Sequence, residues 1–394
     1  MTDRKQKSFT FAFSLVQATY WMTACAVLSY AVIYLQALSF SNFSIGIITA
    51  FGRVLGSLSG PLIASYLDSH PRFPTARMNT PLLLAQVALF ALLQFFGRNN
   101  LITGMFFAMV AGLFIATNSV VLRFCGDCAV GGYKLNYGVA RGIGSLAFII
   151  PSVLMGILFK RIPATYLPAV GIILLVLQFA VNVYAGMFFK GQRSVSLQED
   201  DIGSSPLIKF LREDPMFTRL LIGTSLLFFG YYSYNIFMIN VVRNVGGDTA
   251  IMGIISGVGA AIEIPFMFLF SSLRKKWKIS TLLTLSIIAF SLKVFITAMV
   301  STIPALFATQ ILQGFGYALF AAAIVEYVSA VIPKRNLAKG QSLVYTMEML
   351  SGVLASLVAG KLYDVTSVKT TLMVGFSVTV IGAAVFISGI KKVK

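Results

Sequence analysis

Apolar runs of about 20 residues recur along the entire chain, and few folds can hold such a sequence. That length is what a helix needs to cross the hydrocarbon core of a bilayer. Approximate spans fall at 11–35, 43–67, 77–97, 101–122, 136–159, 164–189, 216–240, 249–273, 279–299, 302–327, 340–360 and 370–390. Hydrophobic residues make up 57% of the chain and charged ones 11%, with a mean hydropathy of +0.86, too little polar surface for a soluble domain. The expected fold class is an all-α polytopic membrane protein with twelve transmembrane helices.

A net charge of +18 would suit a nucleic-acid partner, but its distribution argues for a lipid bilayer. With the N-terminus inside, Arg98, Lys160, Arg161, Arg243, Lys361 and Lys369 are all that the outer segments hold. Most of the other Lys and Arg lie on the inner side, which is the positive-inside rule at work. Both termini are therefore expected in the cytosol, with the chain multi-pass in an inner or plasma membrane. The first apolar stretch is long enough to span and has no small-residue cleavage site after it, so no removable signal peptide is expected. Cys25 lies in the first helix and Cys125 and Cys128 form C-G-D-C at the cytosolic end of the fourth. Thiols there stay reduced, two ligands do not make a zinc site, and no metal or cofactor is expected.

The longest polar interval, 190–215, divides six helices from six. The expected domains are a six-helix half at 1–189, a cytosolic linker at 190–215 and a second half at 216–394. Asp214-Pro215 has the form of an N-cap with a first-turn proline opening helix seven. "IGIITAFGRVLG" (45–56) and "MGIISGVGAAIE" (252–263) share G-I-I-(Thr/Ser)-x-x-G at the starts of helices two and eight. Single glycines are explained by close helix packing. Their repetition in two six-helix halves indicates a transporter built from repeats, with solute bound near the midplane.

Five ionisable residues fall well inside the spans: Arg53, Arg141, Glu263, Lys293 and Glu348. Each costs about 2.5–3.5 kcal/mol at a helix centre on insertion scales, so such residues normally face a wet cavity or pair with one another. Glu326 sits near a helix end and can reach the interface. Glu263 and Lys293 lie on successive helices at comparable depth and are expected to pair, opening when a proton or solute arrives. Pro265 leaves a carbonyl on the preceding turn unbonded, which is tolerable beside a cavity. Tyr231, Tyr234 and Asn235 add polar groups from helix seven.

Four stretches, "IGIITAFGRVLGSLSGPLIASYLD" (45–68), "YGVARGIGSLAF" (137–148), "SLKVF" (291–295) and "AGKLYD" (359–364), resemble the major facilitator superfamily. The resemblance is to its oligosaccharide:proton symporter (lactose permease-like) branch, and it covers nearly the whole chain. It implies that Arg141 binds solute hydroxyls, that Phe148 takes the place of a sugar-stacking tryptophan, and that Asp68 opens the gating loop after helix two. A sugar-binding carboxylate of helix four falls near Asn118. The branch's proton-coupling His and Glu fall on Gln313 and Gly316, which do not titrate. Glu348 stands where the branch has a lysine, and Asn235 where that lysine has an aspartate partner. Lys293 keeps the basic character of its position.

The resulting expectation is a proton-coupled secondary transporter, a monomer, importing a small polar organic solute of sugar or glycoside type. Arg141, Phe148, Asn118, Arg53, Tyr234, Asn235 and Gln313 are its candidate solute residues, and Glu263, Lys293 and Glu348 its candidate proton-coupling residues. Three intramembrane cations against two carboxylates favour, as the alternative, an organic-anion symporter for aromatic acids. A multidrug/proton antiporter is a further alternative, although "GSLAFIIPSVLMG" lacks the paired glycines of efflux members. The lone histidine, His70, with no H-E-x-x-H and no Walker A sequence, argues against an enzyme and against nucleotide-driven transport.

Overall fold

The computed structural model describes residues 3–70, 75–130, 137–188, 207–333 and 336–391; for Asp68, residues 122–130 and a few others it describes the backbone alone. Most of the expected linker 190–215 and the side chains of Cys125 and Cys128 thus lie outside the described residues. The linker's last part forms a short helix, Leu207–Glu213.

The chain separates into two compact units, Met1–Leu197 and Gln198–Lys394. The first holds α1 (Phe9–Ala37), α2 (Asn42–Leu67), α3 (Arg77–Phe96), α4 (Leu101–Val121), α5 (Val139–Arg161) and α6 (Ala164–Met187). The second holds α7 (Pro215–Asn235, continued by Met238–Asn244), α8 (Thr249–Lys276), α9 (Ile279–Met299), α10 (Ile303–Val331), α11 (Lys339–Val365) and α12 (Val368–Gly389). Eleven of these are long and apolar enough to span a bilayer, and α7 makes a twelfth if its two parts, bent by 58°, are one span. The sequence pattern suggests a straight helix over 216–240; the bend follows Asn235, with neither proline nor glycine to announce it.

Helix starts follow local chemistry. Asp214 caps α7 by accepting from the Phe217 N–H at 3.1 Å, with Pro215 in the first turn as expected. Asp248 caps α8 through the Ile251 N–H at 3.0 Å. Two helices carry a π turn, Cys25–Ser29 in α1 and Gly314–Ala318 in α10.

The internal packing of the two units follows one scheme. In the first, α1 packs on α5 and α6, α2 on α4, and α3 on α4 and α6. In the second, α7 packs on α11 and α12, α8 on α10, and α9 on α10 and α12. Adding six to each helix of the first set produces the second. Lipid tails are as apolar as leucine, so close approach of backbones and interhelical hydrogen bonds must supply much of the attraction. The repeated glycines serve this end. A Cβ on Gly52 would lie 2.8 Å from Ala111 Cβ of α4, and one on Gly259 would lie 3.1 Å from Gln310 Oε1 of α10. The first contact is simple packing. The second leads into a polar cluster.

Apolar side chains divide between the interior and the lipid-facing surface. Phe13, Phe90 and Phe114 are fully buried in the first unit and Phe228, Phe320 and Phe386 in the second. Leu62, Phe95 and Phe268 are largely exposed and suit a hydrocarbon solvent.

Candidate functional site

Lys293 lies about two-thirds of the way along α9 and is 4% exposed. Its ammonium donates to two amide oxygens of α10, Gln310 Oε1 at 3.1 Å and Gln313 Oε1 at 2.5 Å. The other end of the Gln313 amide donates from Nε2 to Glu263 Oε1 of α8 at 2.8 Å. Gln313 therefore bridges the cation of α9 to the carboxylate of α8, its oxygen turned to the positive group and its N–H to the negative one. Charges fix that orientation, because an ammonium only donates and an ionised carboxylate only accepts. Gln310 is held in turn by its own Nε2, which donates to Thr309 Oγ1 at 3.2 Å. The expected Glu263–Lys293 relation thus runs through an amide of a third helix.

Tyrosines surround this cluster. The Tyr234 ring lies 5.4 Å from Lys293 Nζ. Tyr231 sits 5.4 Å from Tyr234 edge to face, and stacks on Tyr317 of α10 at 5.4 Å with 7° between the planes. The Tyr232 hydroxyl donates to Glu348 Oε1 of α11 at 3.1 Å. Both intramembrane carboxylates of the second unit thus accept at least one hydrogen bond from a neutral side chain. Glu326 pairs with Arg274 at 2.5 Å near the end of α10, both partly exposed.

In the first unit Arg141 of α5 lies over the Trp21 ring of α1, its guanidinium carbon 3.9 Å from the ring centroid. Arg141 Nη1 donates to Ser145 Oγ, one turn on, at 2.7 Å. The indole N–H donates to Gln17 Oε1 at 3.3 Å, an i,i+4 contact within α1. Gly144 makes room for this arrangement: a Cβ there would lie 2.6 Å from Trp21 Cδ1 and 3.3 Å from the Gln17 carbonyl oxygen. Tyr20 stacks on Phe114 of α4 at 4.5 Å and closes the layer.

The structure brings together Lys293, Glu263, Gln313 and Tyr234 in one cluster and places Arg141 in another. Phe148 on α5, Asn118 on α4 and Arg53 on α2 are half-buried. Asn235 is exposed at the bend of α7. The helix of α2 continues through Asp68 to Ser69, and the side chain of Asp68 is outside the described residues. Trp21, Gln17, Gln310 and Tyr317 were not singled out in the sequence. The available signals were the i,i+4 spacing of Gln17 and Trp21 and the paired amides of "TQILQGFGY". Among the described residues no three His, Cys, Asp or Glu side chains are grouped so as to hold a metal ion.

Solved structures that resemble this chain in fold include transporters. A mutant of the nucleoside transporter NupG superposes with a TM-score of 0.76 at 15% identity, covering 98% of this chain and 100% of its own. The unmutated NupG gives 0.74 at 14% identity, covering 98% of each chain. A bacterial homologue of the human lysosomal transporter Spinster, inward-facing and unoccupied, gives 0.70 at 12% identity, covering 99% of this chain and 98% of its own. No curated protein sequence matches the chain. The model of the MFS_1 like family matches residues 13–374, nearly the whole length. With eleven or twelve spanning segments among the described residues, the chain belongs to the MFS_1 like family and is a multi-pass membrane transporter of the major facilitator type, not an enzyme.

Proposed function

We propose that this transporter is proton-coupled and imports a small polar organic solute, of sugar or glycoside type, by alternating access. It would sit in an inner or plasma membrane with both termini in the cytosol, the side favoured by its Lys and Arg distribution. The observation that carries the reading is the amide bridge from Lys293 through Gln313 to Glu263. A proton on Glu263 neutralises the carboxylate, weakens its bond from Gln313 and removes the counter-charge of Lys293. The joint between α8, α9 and α10 then has two strengths, and a proton selects between them. Gln313 immediately precedes the π turn Gly314–Ala318, an irregularity common where helices serve function. The donors of Arg141 suit a hydroxyl- or oxygen-rich solute.

A thermal-shift screen of sugars, glycosides, nucleosides and aromatic acids would supply the solute, since a ligand at 100 times its Kd adds about 2.7 kcal/mol of apparent stability. In proteoliposomes with an inward proton gradient, the wild type should accumulate that solute. Glu263→Gln should still exchange labelled for unlabelled solute but fail to accumulate it. Uphill accumulation by Glu263→Gln would return Glu263 to a structural role.

A further inference from the structure

We infer that the solute carries a carboxylate, and that Arg141, laid flat on Trp21, receives it. This rests on the transport reading above and narrows its solute from polar to anionic.

The first unit has few carboxylates to set against its intramembrane arginines. Between residues 9 and 188 the only acidic residues are Asp68 and Asp127, both close to the C-terminal ends of their helices, Asn42–Ser69 and Leu101–Val130. Neither lies in the middle of its helix. Among the described residues Arg141 meets a neutral hydroxyl, Ser145 Oγ, and the face of an indole. Neither cancels its charge. The second unit is arranged differently: the Lys293 ammonium is connected through Gln313 to Glu263, and Glu348 accepts from Tyr232.

The geometry leaves the useful part of the guanidinium available. Trp21 covers a face of the group, Ser145 takes one N–H, and the planar edge keeps its remaining donors; the side chain as a whole is half-buried. A guanidinium edge offers parallel N–H groups that match the two oxygens of a carboxylate, whereas neutral hydroxyls would leave its charge unbalanced in apolar surroundings. The platform is also pre-set. Trp21 is anchored by Gln17 and seated against α5 at Gly144, so the cation needs little reordering when an anion arrives. Beside this platform Gln17 is 1% exposed, and its Nε2 has no hydrogen-bond partner among the described residues. A ligand that supplies acceptors and a negative charge complements this layer; a neutral polyol supplies only part of that.

The chain contains two tryptophans, Trp21 and Trp277. Trp277→Phe therefore leaves Trp21 as the single indole reporter, at the site itself. Purified full-length Trp277→Phe would be titrated with D-glucuronate against D-glucose, and with cyclohexanecarboxylate against cyclohexanecarboxamide. At least one acid should change Trp21 emission saturably, with its neutral counterpart binding at least tenfold more weakly. Arg141→Lys in the same background should weaken the acid at least tenfold, with circular dichroism and gel-filtration behaviour unchanged. Equal or tighter binding of the neutral counterparts, no saturable response to either acid, or undiminished binding by Arg141→Lys would each overturn the inference. The two readings fail separately. A neutral solute accumulated under a proton gradient, with no response to either acid, sinks the anion inference and leaves coupling standing. Acid binding at Arg141 without proton-driven accumulation supports this inference and sinks the coupling.

Discussion

Replacing Gln313 with leucine keeps roughly the native volume and removes both arms of the bridge between α9 and α8. The arm to Lys293 is a buried bond to a charged group, for which about 1.5–3 kcal/mol is typical. The arm to Glu263 is partly exposed, and solvent screening reduces its share to about 0.5–1 kcal/mol. Gln310 still holds the ammonium at 3.1 Å, so Lys293 is not left bare and the total stays near the sum of the two arms. Gln313→Leu should therefore cost about 2–4 kcal/mol, measured by equilibrium unfolding in mixed dodecylmaltoside and dodecylsulfate micelles. The decisive comparison is the same substitution in a Lys293→Met, Glu263→Gln background. There the charges that Gln313 bridges are gone, and its removal should cost less than about 1 kcal/mol. An equal cost in both backgrounds would refute the bridge and reduce Gln313 to a packing residue.

Other consequences follow from the packing and the charges. Gly223→Ala would put a Cβ 2.5 Å from the Phe386 backbone of α12 and should destabilise by about 1–3 kcal/mol, whereas Gly142→Ala, with nothing within 4 Å, should be neutral or slightly stabilising in the same assay. Asp214→Ala removes the α7 cap and an ion pair to Lys391 at 2.6 Å; it should cost about 1 kcal/mol for the cap, with a smaller salt-sensitive part that fades at high ionic strength. A cysteine placed at Ser196, in the stretch expected to be cytosolic, should resist impermeant thiol reagents added outside intact cells, and efficient labelling would invert the topology.

The spans were legible because length and apolarity are direct physical requirements of the bilayer. Helix α1, expected over 11–35, has its candidate span at Phe9–Ala37 in a helix that begins at Asp3, and the Asp214-Pro215 cap formed as its residue types suggest. The bend of α7 was not legible, since Tyr234-Asn235-Ile236 carries no breaker. Charged residues inside spans stand out in a sequence, so Glu263, Lys293 and Arg141 could be picked individually. The groups that connect them could not. Gln313 joins α8 to α9 only once three helices are packed, and nothing local distinguishes it from any other amide. Trp21 looked like one more aromatic in an apolar helix; its role depends on Gly144 of another helix letting the indole lie against Arg141.

The central claim is that Glu263 carries the coupling proton. The direct measurement is the luminal pH of proteoliposomes loaded with a pH-sensitive dye, recorded when solute is added outside with no imposed gradient. The wild type should acidify the lumen as solute enters, and Glu263→Gln, at equal protein density and with exchange intact, should leave the lumen unchanged. Solute-driven acidification of the same size in Glu263→Gln would contradict the claim.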